Sequence, residues 1–264
     1  MSLPLSLKII DIKQENPGLK TYTFKYNLRA KAGQFIMVWL PGVDEVPMSI
    51  GWQTNDEFKI GIAKVGDCTT AIFDNIKIGD RLGIRGPYGS SFKYKGKNKV
   101  VLVGGGFGTL PMLNLAQETT KLGIETTVLL GSRDAENLLY EKEFESLGVN
   151  LKVSTDDGSK GHKGYITDVL EKELSNDKYD CVYTCGPELM MVSVAKLADD
   201  YAVESQVSLE RYMKCGFGVC GQCCIDGSGA RVCKEGPVFD GKEALSFSEF
   251  GKYHRDSAGI IKNF

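Results

Sequence analysis

Histidine is almost missing from this chain: His162 and His254 are the only two among 264 residues. With so few imidazoles, and no G-x-S-x-G stretch, a hydrolase reading has little support. Neither sign of charge is in excess. Thirty-two Lys and Arg face 34 Asp and Glu, a formal net charge of −2, so there is no basic footprint for nucleic acid. No apolar run approaches the ~20 residues that a membrane span needs. The opening stretch, MSLPLSLKIIDIKQENPG, lacks the basic region and apolar core of a secretory signal. A cytoplasmic protein is expected, in a compartment where disulfides are rare and clustered thiols serve as ligands or catalysts.

What the chain does have is glycine, 31 residues, and eight cysteines, five of them within MKCGFGVCGQCCIDGSGARVCKEGPVF. Ahead of that segment the pattern divides in two. Residues 1–95 read as short strands rich in β-branched and aromatic residues (LSLKIIDI, KTYTFKYNL, GQFIMVWL, MSIGWQT, EFKIGIAKV), separated by turns such as NPG and KAG. One helix is expected there, TTAIFDNIK, with Thr69 or a neighbour as its N-cap. A small antiparallel barrel or sandwich follows.

Residues 96–210 alternate instead. KVVLVGG, ETTVLLGS, NLKVSTDDG and CVYTCG are strands; GTLPMLNLAQETTKLG, NLLYEKEFESLG, ITDVLEKEL and PELMMVSVAKLADDY are helices. VESQVSLE is expected to be the last strand. This is the pattern of an α/β parallel sheet with helices on both faces. Residues 211–264 are too few to bury a core of their own and must lean on the rest. The fold class is α+β multidomain: barrel, parallel-sheet domain and a small cysteine-bearing segment.

In that segment the spacing is Cys215-x4-Cys220-x2-Cys223, with Cys233 further on. C-x4-C-x2-C followed by a distant cysteine is the plant-type [2Fe–2S] pattern. Three thiolates on a tight loop wrap the cluster, and CIDGSGARVC, read as a hairpin, brings back the fourth. Gly216, Gly218 and Gly221 let the backbone curl close and aim N–H groups at sulfur. Cys224 is read as a buried bystander. The competing readings are a four-cysteine zinc site, for which only one C-x2-C knuckle exists, and disulfides.

VVLVGGGFGTLPML has the strand–turn–helix context of a dinucleotide site, with Gly104, Gly105 and Gly106 offering backbone amides to a pyrophosphate. Thr109 stands where a clean G-x-G-x-x-G would end, and a plain tight turn would look the same. In CVYTCGPELMM, Cys185 and Gly186 end a strand at the carboxyl edge where open α/β sheets bind ligands. Cys185 there is either a contact for a nicotinamide ring or a small buried hydrophobe.

A small barrel carrying VPMSIGW and GIAKVGDCTT, a domain with GGG and CGP, and an attached cysteine loop together resemble the ferredoxin reductase superfamily. ERYMKCGFGVCGQC followed by VCKEGPVF resembles, more narrowly, the electron-transfer subunits of NAD-dependent dihydroorotate dehydrogenases. The resemblance implies FAD in the barrel, NAD, one [2Fe–2S] cluster, and an FMN-containing catalytic partner in pyrimidine biosynthesis, in a heterotetramer. It places Pro47, Met48 and Ser49 on the flavin strand, Ile62, Ala63 and Lys64 on the next, and Cys68, Thr69 and Thr70 on the pyrophosphate turn. Val46 and Lys64 replace arginines usual in the superfamily, and Cys68 replaces a glycine. Lysine is only a point charge, so Lys64 and a helix N-terminus near Thr69 are left to hold the phosphates.

Nicotinamide exchanges hydride and a cluster single electrons, so a flavin is the necessary converter. The rival readings are the NAD(P)H reductase subunit of a hydrogenase, sulfite reductase or ferredoxin:NADP oxidoreductase, and, in another class, a zinc-stabilised nucleotide-binding regulator. NAD against NADP stays open, because Ser132 and Arg133 could hold a 2′-phosphate or line the adenosine. Tyr212, Met213 and Phe217 are either docking residues for the partner or packing against this chain's own barrel.

Overall fold

The computed structural model describes residues 3–264. The first part is a closed barrel of β1 (Leu5–Asn16), β2 (Leu19–Phe24), β3 (Phe35–Leu40), β4 (Asp44–Gln53), β5 (Phe58–Ala63) and β6 (Arg81–Tyr88), in the order β1-β2-β5-β4-β3-β6. Antiparallel pairing of β1 with β6 closes it, Leu5 opposite Ile84. β6 is a strand that the sequence pattern does not announce, because two glycines and a proline interrupt it. Gly83 is required: a Cβ there would lie 2.7 Å from the Trp39 ring. Alternating side chains fill the barrel. Ile9, Phe24, Ile36, Phe58 and Ile60 are fully buried, and the Phe24 and Phe58 rings stack at 5.1 Å. Each such side chain stabilises the fold by about 1.5–3 kcal/mol.

Helix α1 (Asp67–Asn75) plugs one end of the barrel with Cys68 and Ile72. Its N-cap is Gly66, not Thr69. Thr69 sits three residues inside the helix, where its hydroxyl accepts from the backbone N–H groups of Gly66 (3.0 Å) and Val65 (3.2 Å), half of a capping box.

Beyond the barrel come β7 (Lys99–Gly105), α2 (Thr109–Lys121), β8 (Glu125–Ser132), α3 (Glu141–Ser146), β9 (Asn150–Thr155), β10 (His162–Lys163), α4 (Ile166–Asn176), β11 (Cys181–Cys185), α5 (Glu188–Asp200) and β12 (Glu204–Ser208). α3 is shorter than its sequence pattern suggests, since residues 135–137 form a separate 3₁₀ turn and Tyr140 takes a left-handed conformation before the helix starts. The sheet runs β10-β9-β8-β7-β11-β12 in parallel, and α4 and α5 pack together on the face opposite α2.

β12 is not the last strand. β13 (Val238–Asp240), from the GPVF stretch, pairs with it antiparallel, Val207 opposite Phe239. A lone edge strand would leave a row of unpaired amides, and the cysteine-bearing segment covers it. α6 (Gly241–Ser246) and the hairpin of β14 (Tyr253–Arg255) and β15 (Ile261–Asn263) complete the chain. This segment shares a core with the barrel and the sheet: Phe35 and Met37 of β3, Val207 of β12, and Phe239. Two contacts lock α2 to the barrel. Gln53 and Gln117 exchange backbone and amide hydrogen bonds at 2.9 and 3.2 Å, and Leu110 lies over Gly51 and Gly61.

Candidate functional site

Two cavities meet between the barrel and the sheet. The larger, about 1380 Å³, opens at the carboxyl ends of β7, β8 and β11. Gly105 and Gly106 of the expected turn line it, with Gly108 at the start of α2; Gly104 lies behind, buried in the sheet. Gly186 and Pro187 line it from the other side. The approach is too close for any side chain: a Cβ on Gly108 would stand 2.3 Å from the Cys185 carbonyl, and one on Gly186 (φ +149°) 2.7 Å from the Gly105 carbonyl. The α2 N-terminus is thereby held against the end of β11, with Gly108, its N-cap, at the cavity wall. Cys185 itself is 1% exposed and lines neither cavity. Burial pushes its thiol well up, with Glu210 adding to the shift.

The smaller cavity, about 700 Å³, is walled by the barrel. Pro47, Met48, Ser49, Ala63, Cys68 and Thr69 line it; Ile62, Lys64 and Thr70 do not. Ile62 points into the barrel core, as the alternation of β5 requires. Lys64 pairs with Asp74 at 2.5 Å and lies over the Phe73 ring, so its charge is committed to α1. What faces the cavity in its place is the first turn of α1, Gly66 to Thr69.

Val65, Phe107, Glu210, Arg211, Tyr212 and Ser257 border both cavities. Glu210, Arg211 and Tyr212 open the ERYMKCGFGVCGQC stretch, whereas Val65, Phe107 and Ser257 come from three other parts of the chain. Arg211 is buried and held by two carboxylates, Glu188 (2.6 and 3.1 Å) and Glu249 (2.5 Å). Glu249 also accepts from the Asp226 N–H, and Glu188 from the Gly251 N–H. The start of α5 is thus tied to the cysteine segment. Glu210 has no side-chain partner among the described residues. It remains open to solvent within a crowded cleft, and desolvation together with Glu188 raises its carboxyl, opposed by Arg211. The C-terminal hairpin, which shows no motif in the sequence, supplies His254, Arg255 and Phe264 to the larger cavity.

The cysteine loop packs against the barrel wall. The Arg85 guanidinium, 9% exposed, is clamped by Glu45, lies between the Tyr88 and Phe217 rings at 5.7 and 5.6 Å, and donates to the Cys215 carbonyl at 3.1 Å. Phe217 therefore packs on this chain's own barrel, and Met213 is buried in the shared core. Cys223 and Cys233 are buried, Cys215 half-buried and Cys220 exposed. Cys224 is also half-exposed rather than buried, its backbone bridged to Arg231.

The four thiols form two pairs. Cys220 bears on the ionisation of Cys215, and Cys223 and Cys233 bear on each other's; the Cys233 backbone N–H donates to the Cys223 sulfur at 3.4 Å. Among the described residues no three His, Cys, Asp or Glu converge on one ion-sized point. Burial alone would raise Cys215, but the N–H groups of Cys220, Phe217 and Val219, the last at 3.3 Å from its sulfur, outweigh this and lower it to about 6. The neighbouring Cys233 lowers Cys223 to about 7 and is itself raised. Cys215 and Cys223, the two lowered thiols, are the ready ligands of the set.

Comparison with known proteins agrees with this layout. Residues 210–245 match the family model described as the iron-sulfur cluster binding domain of dihydroorotate dehydrogenase B, and residues 102–196 that of the oxidoreductase NAD-binding domain. A protein of Methanocaldococcus jannaschii, named "Probable dihydroorotate dehydrogenase B (NAD(+)), electron transfer subunit", is 45% identical over 259 residues, 98% of each chain. One of the same name from Methanocella arvoryzae is 44% identical over 97% of each. Among solved structures, a chain from the NADH-dependent reduced ferredoxin–NADP oxidoreductase superposes with a TM-score of 0.84. It is 27% identical, with 95% of this chain and 92% of that one covered. With near-complete coverage at this identity, the chain belongs to the family of electron transfer subunits of dihydroorotate dehydrogenase B (NAD⁺).

Proposed function

We propose that this chain carries electrons between NAD(H) and a catalytic dihydroorotate dehydrogenase subunit, in de novo pyrimidine biosynthesis in the cytoplasm. One observation carries the reading: the three candidate sites stand in series. The nicotinamide cavity opens into the flavin cavity through shared walls, and Phe35 and Met213 border the flavin cavity while packing in one core with Cys223 and Cys233.

The residues present fit all three groups. Two thiol pairs suit a cluster in which each iron takes two cysteines, and suit a single tetrahedral zinc poorly. Cys215, Cys220, Cys223 and Cys233 would hold the cluster. Pro47, Met48, Ser49 and Ala63 would line FAD, and the first turn of α1 would face its phosphates where arginines are lacking. Gly105, Gly106 and Gly186 would admit the dinucleotide to the other cavity. When bound, the flavin supplies the exchange between hydride and single electrons.

The chain's own part is positioning, with one exception. A cluster hands over electrons without protons, whereas a hydride is two electrons and a proton. Glu210, raised and unpaired where the cavities meet, is placed to hold that proton. No residue here is assigned to the dihydroorotate chemistry, which falls to an FMN-containing partner in a heterotetramer.

The test is reconstitution. The purified chain alone should leave dihydroorotate untouched, and addition of the catalytic subunit should give NAD⁺-dependent orotate formation. Turnover of dihydroorotate by the isolated chain would overturn the division of labour. A complex that reduces only an artificial dye, and never NAD⁺, would overturn the assigned route.

A further inference from the structure

Beneath the cysteine loop, the outer wall of the barrel is built in cross-strand rows. On β3 the side chains of Phe35 and Met37 point out of the barrel, as alternation requires, and both join the core shared with the cysteine segment. Met37 stands between Pro47 of β4 and Arg85 of β6; Phe35 stands likewise between Ser49 and Tyr88. Pro47 and Ser49 line the flavin cavity. Each row therefore begins at that cavity and ends on β6 under the cysteine loop, where Arg85 meets Cys215 and Tyr88 meets Phe217. The loop is pressed onto the wall: a Cβ on Gly216 (φ +78°) would lie 2.7 Å from Met37 Cγ.

Arg85 is a charge in an unusual place. A guanidinium only 9% exposed is retained where it is paired, and every contact here serves to hold it. Glu45 accepts from Nε at 2.7 Å and from Nη2, and the Tyr88 hydroxyl accepts from Nη1 at 3.3 Å. Nη2 also donates to the Cys215 carbonyl at 3.1 Å. Among the described residues Glu45 makes no hydrogen bond to the loop, so the loop meets the cation and not its counter-ion. Lys214, next to Cys215 in sequence, is exposed and spends its charge on Asp44 at 3.2 Å.

We propose that Arg85 is a positioning residue for electron transfer: it pins the Cys215 end of the loop to the wall of the flavin cavity, and its buried positive charge raises the reduction potential of the cluster held there. The proposal rests on the reading of Cys215, Cys220, Cys223 and Cys233 as the ligands. Reduction adds one negative charge at the loop, so a desolvated cation beside it favours the reduced form. Glu45 acts with the opposite sign, across the guanidinium. A lysine in place of Arg85 would keep the charge and lose the fork.

The test is a redox titration of the purified full chain, followed by electron paramagnetic resonance, with iron and sulfide determined on each sample. Arg85→Met should lower the ratio of reduced to oxidised cluster at a fixed potential about tenfold, which is ~59 mV for one electron. Glu45→Gln leaves the cation without its counter-ion and should raise that ratio. Damage to the loop would move both variants the same way, so opposite signs are the signature of charge. Arg85→Lys should keep the ratio near wild type, while amide exchange at residues 215–220 quickens about tenfold through the lost charged hydrogen bond. Shifts of one sign, or none, in Arg85→Met and Glu45→Gln would overturn the role of the charge. Should Arg85→Met take up no cluster, the Glu45→Gln shift decides alone: upward supports the role, and none or downward overturns it. Unchanged exchange in Arg85→Lys would overturn the pinning. A wild-type chain without iron and sulfide would overturn the cluster reading itself, and this inference with it.

Discussion

Glu210 shows most clearly how a residue acquires chemistry from its place. It lies two residues past β12, next to an arginine already shared by Glu188 and Glu249, and so has no cation of its own. Cys185, Glu188 and Arg211 face it, and its carboxyl is raised above the ordinary range. A carboxyl with a raised folded pKa contributes stability below its unfolded value, and that contribution is lost as pH rises through the folded one. Glu210→Gln should therefore be more stable than wild type in neutral and alkaline melts, with the difference shrinking toward pH 4. A variant equally stable at all pH would mean that Glu210 is not strained in its cleft. At this scale the iron-sulfur segment was legible, because a cluster loop fixes cysteine spacing within a few residues, and residues 210–245 match such a domain. Ser257 and Phe264 were not, since tertiary folding alone brings them to the cavities, and nothing in ERYMKC distinguishes the cleft position of Glu210. Lys64, expected beside the flavin, instead pairs with an acid one helical stretch away, Asp74, and does not line the cavity.

Among the elements, the strand–turn–helix unit β7–α2 carries the tightest constraint. Gly108 has ordinary helical angles, so what demands glycine is the Cys185–Gly186 backbone beside it. Backbone cannot swing aside as a side chain can. Gly108→Ala should cost about 2–3 kcal/mol in denaturant unfolding and should weaken NADH binding, because α2 and β11 must part. An Ala variant with unchanged stability would show that the two elements are not in this contact. Hydrophobic periodicity made most elements readable. It missed β6, where Gly83 and Gly86 interrupt the pattern, and it overextended α3, where Tyr140 enters the left-handed region to reach Thr21 on the barrel. Such departures arise where one domain is fitted to another.

Over the whole molecule, the cysteine segment is not an appendage. Its strand β13 completes the parallel sheet, Ser90 near the end of the barrel exchanges hydrogen bonds with Val238, and Arg85 reaches from the barrel to the carbonyl of Cys215. Three sequence segments thereby bring two cavities with shared walls and the cysteine loop against one another. The sequence carried each candidate site in a local motif, but their order comes only from packing.

The most direct test of that order is an anaerobic titration of the purified chain with NADH, followed by visible absorption and electron paramagnetic resonance, with iron, sulfide, zinc and flavin determined on the same sample. Two irons, two sulfides and one FAD per chain, with the flavin bleached and the reduced-cluster signal appearing on NADH addition, are predicted. Zinc in place of iron, or a cluster that stays oxidised while the flavin is reduced, would contradict the account.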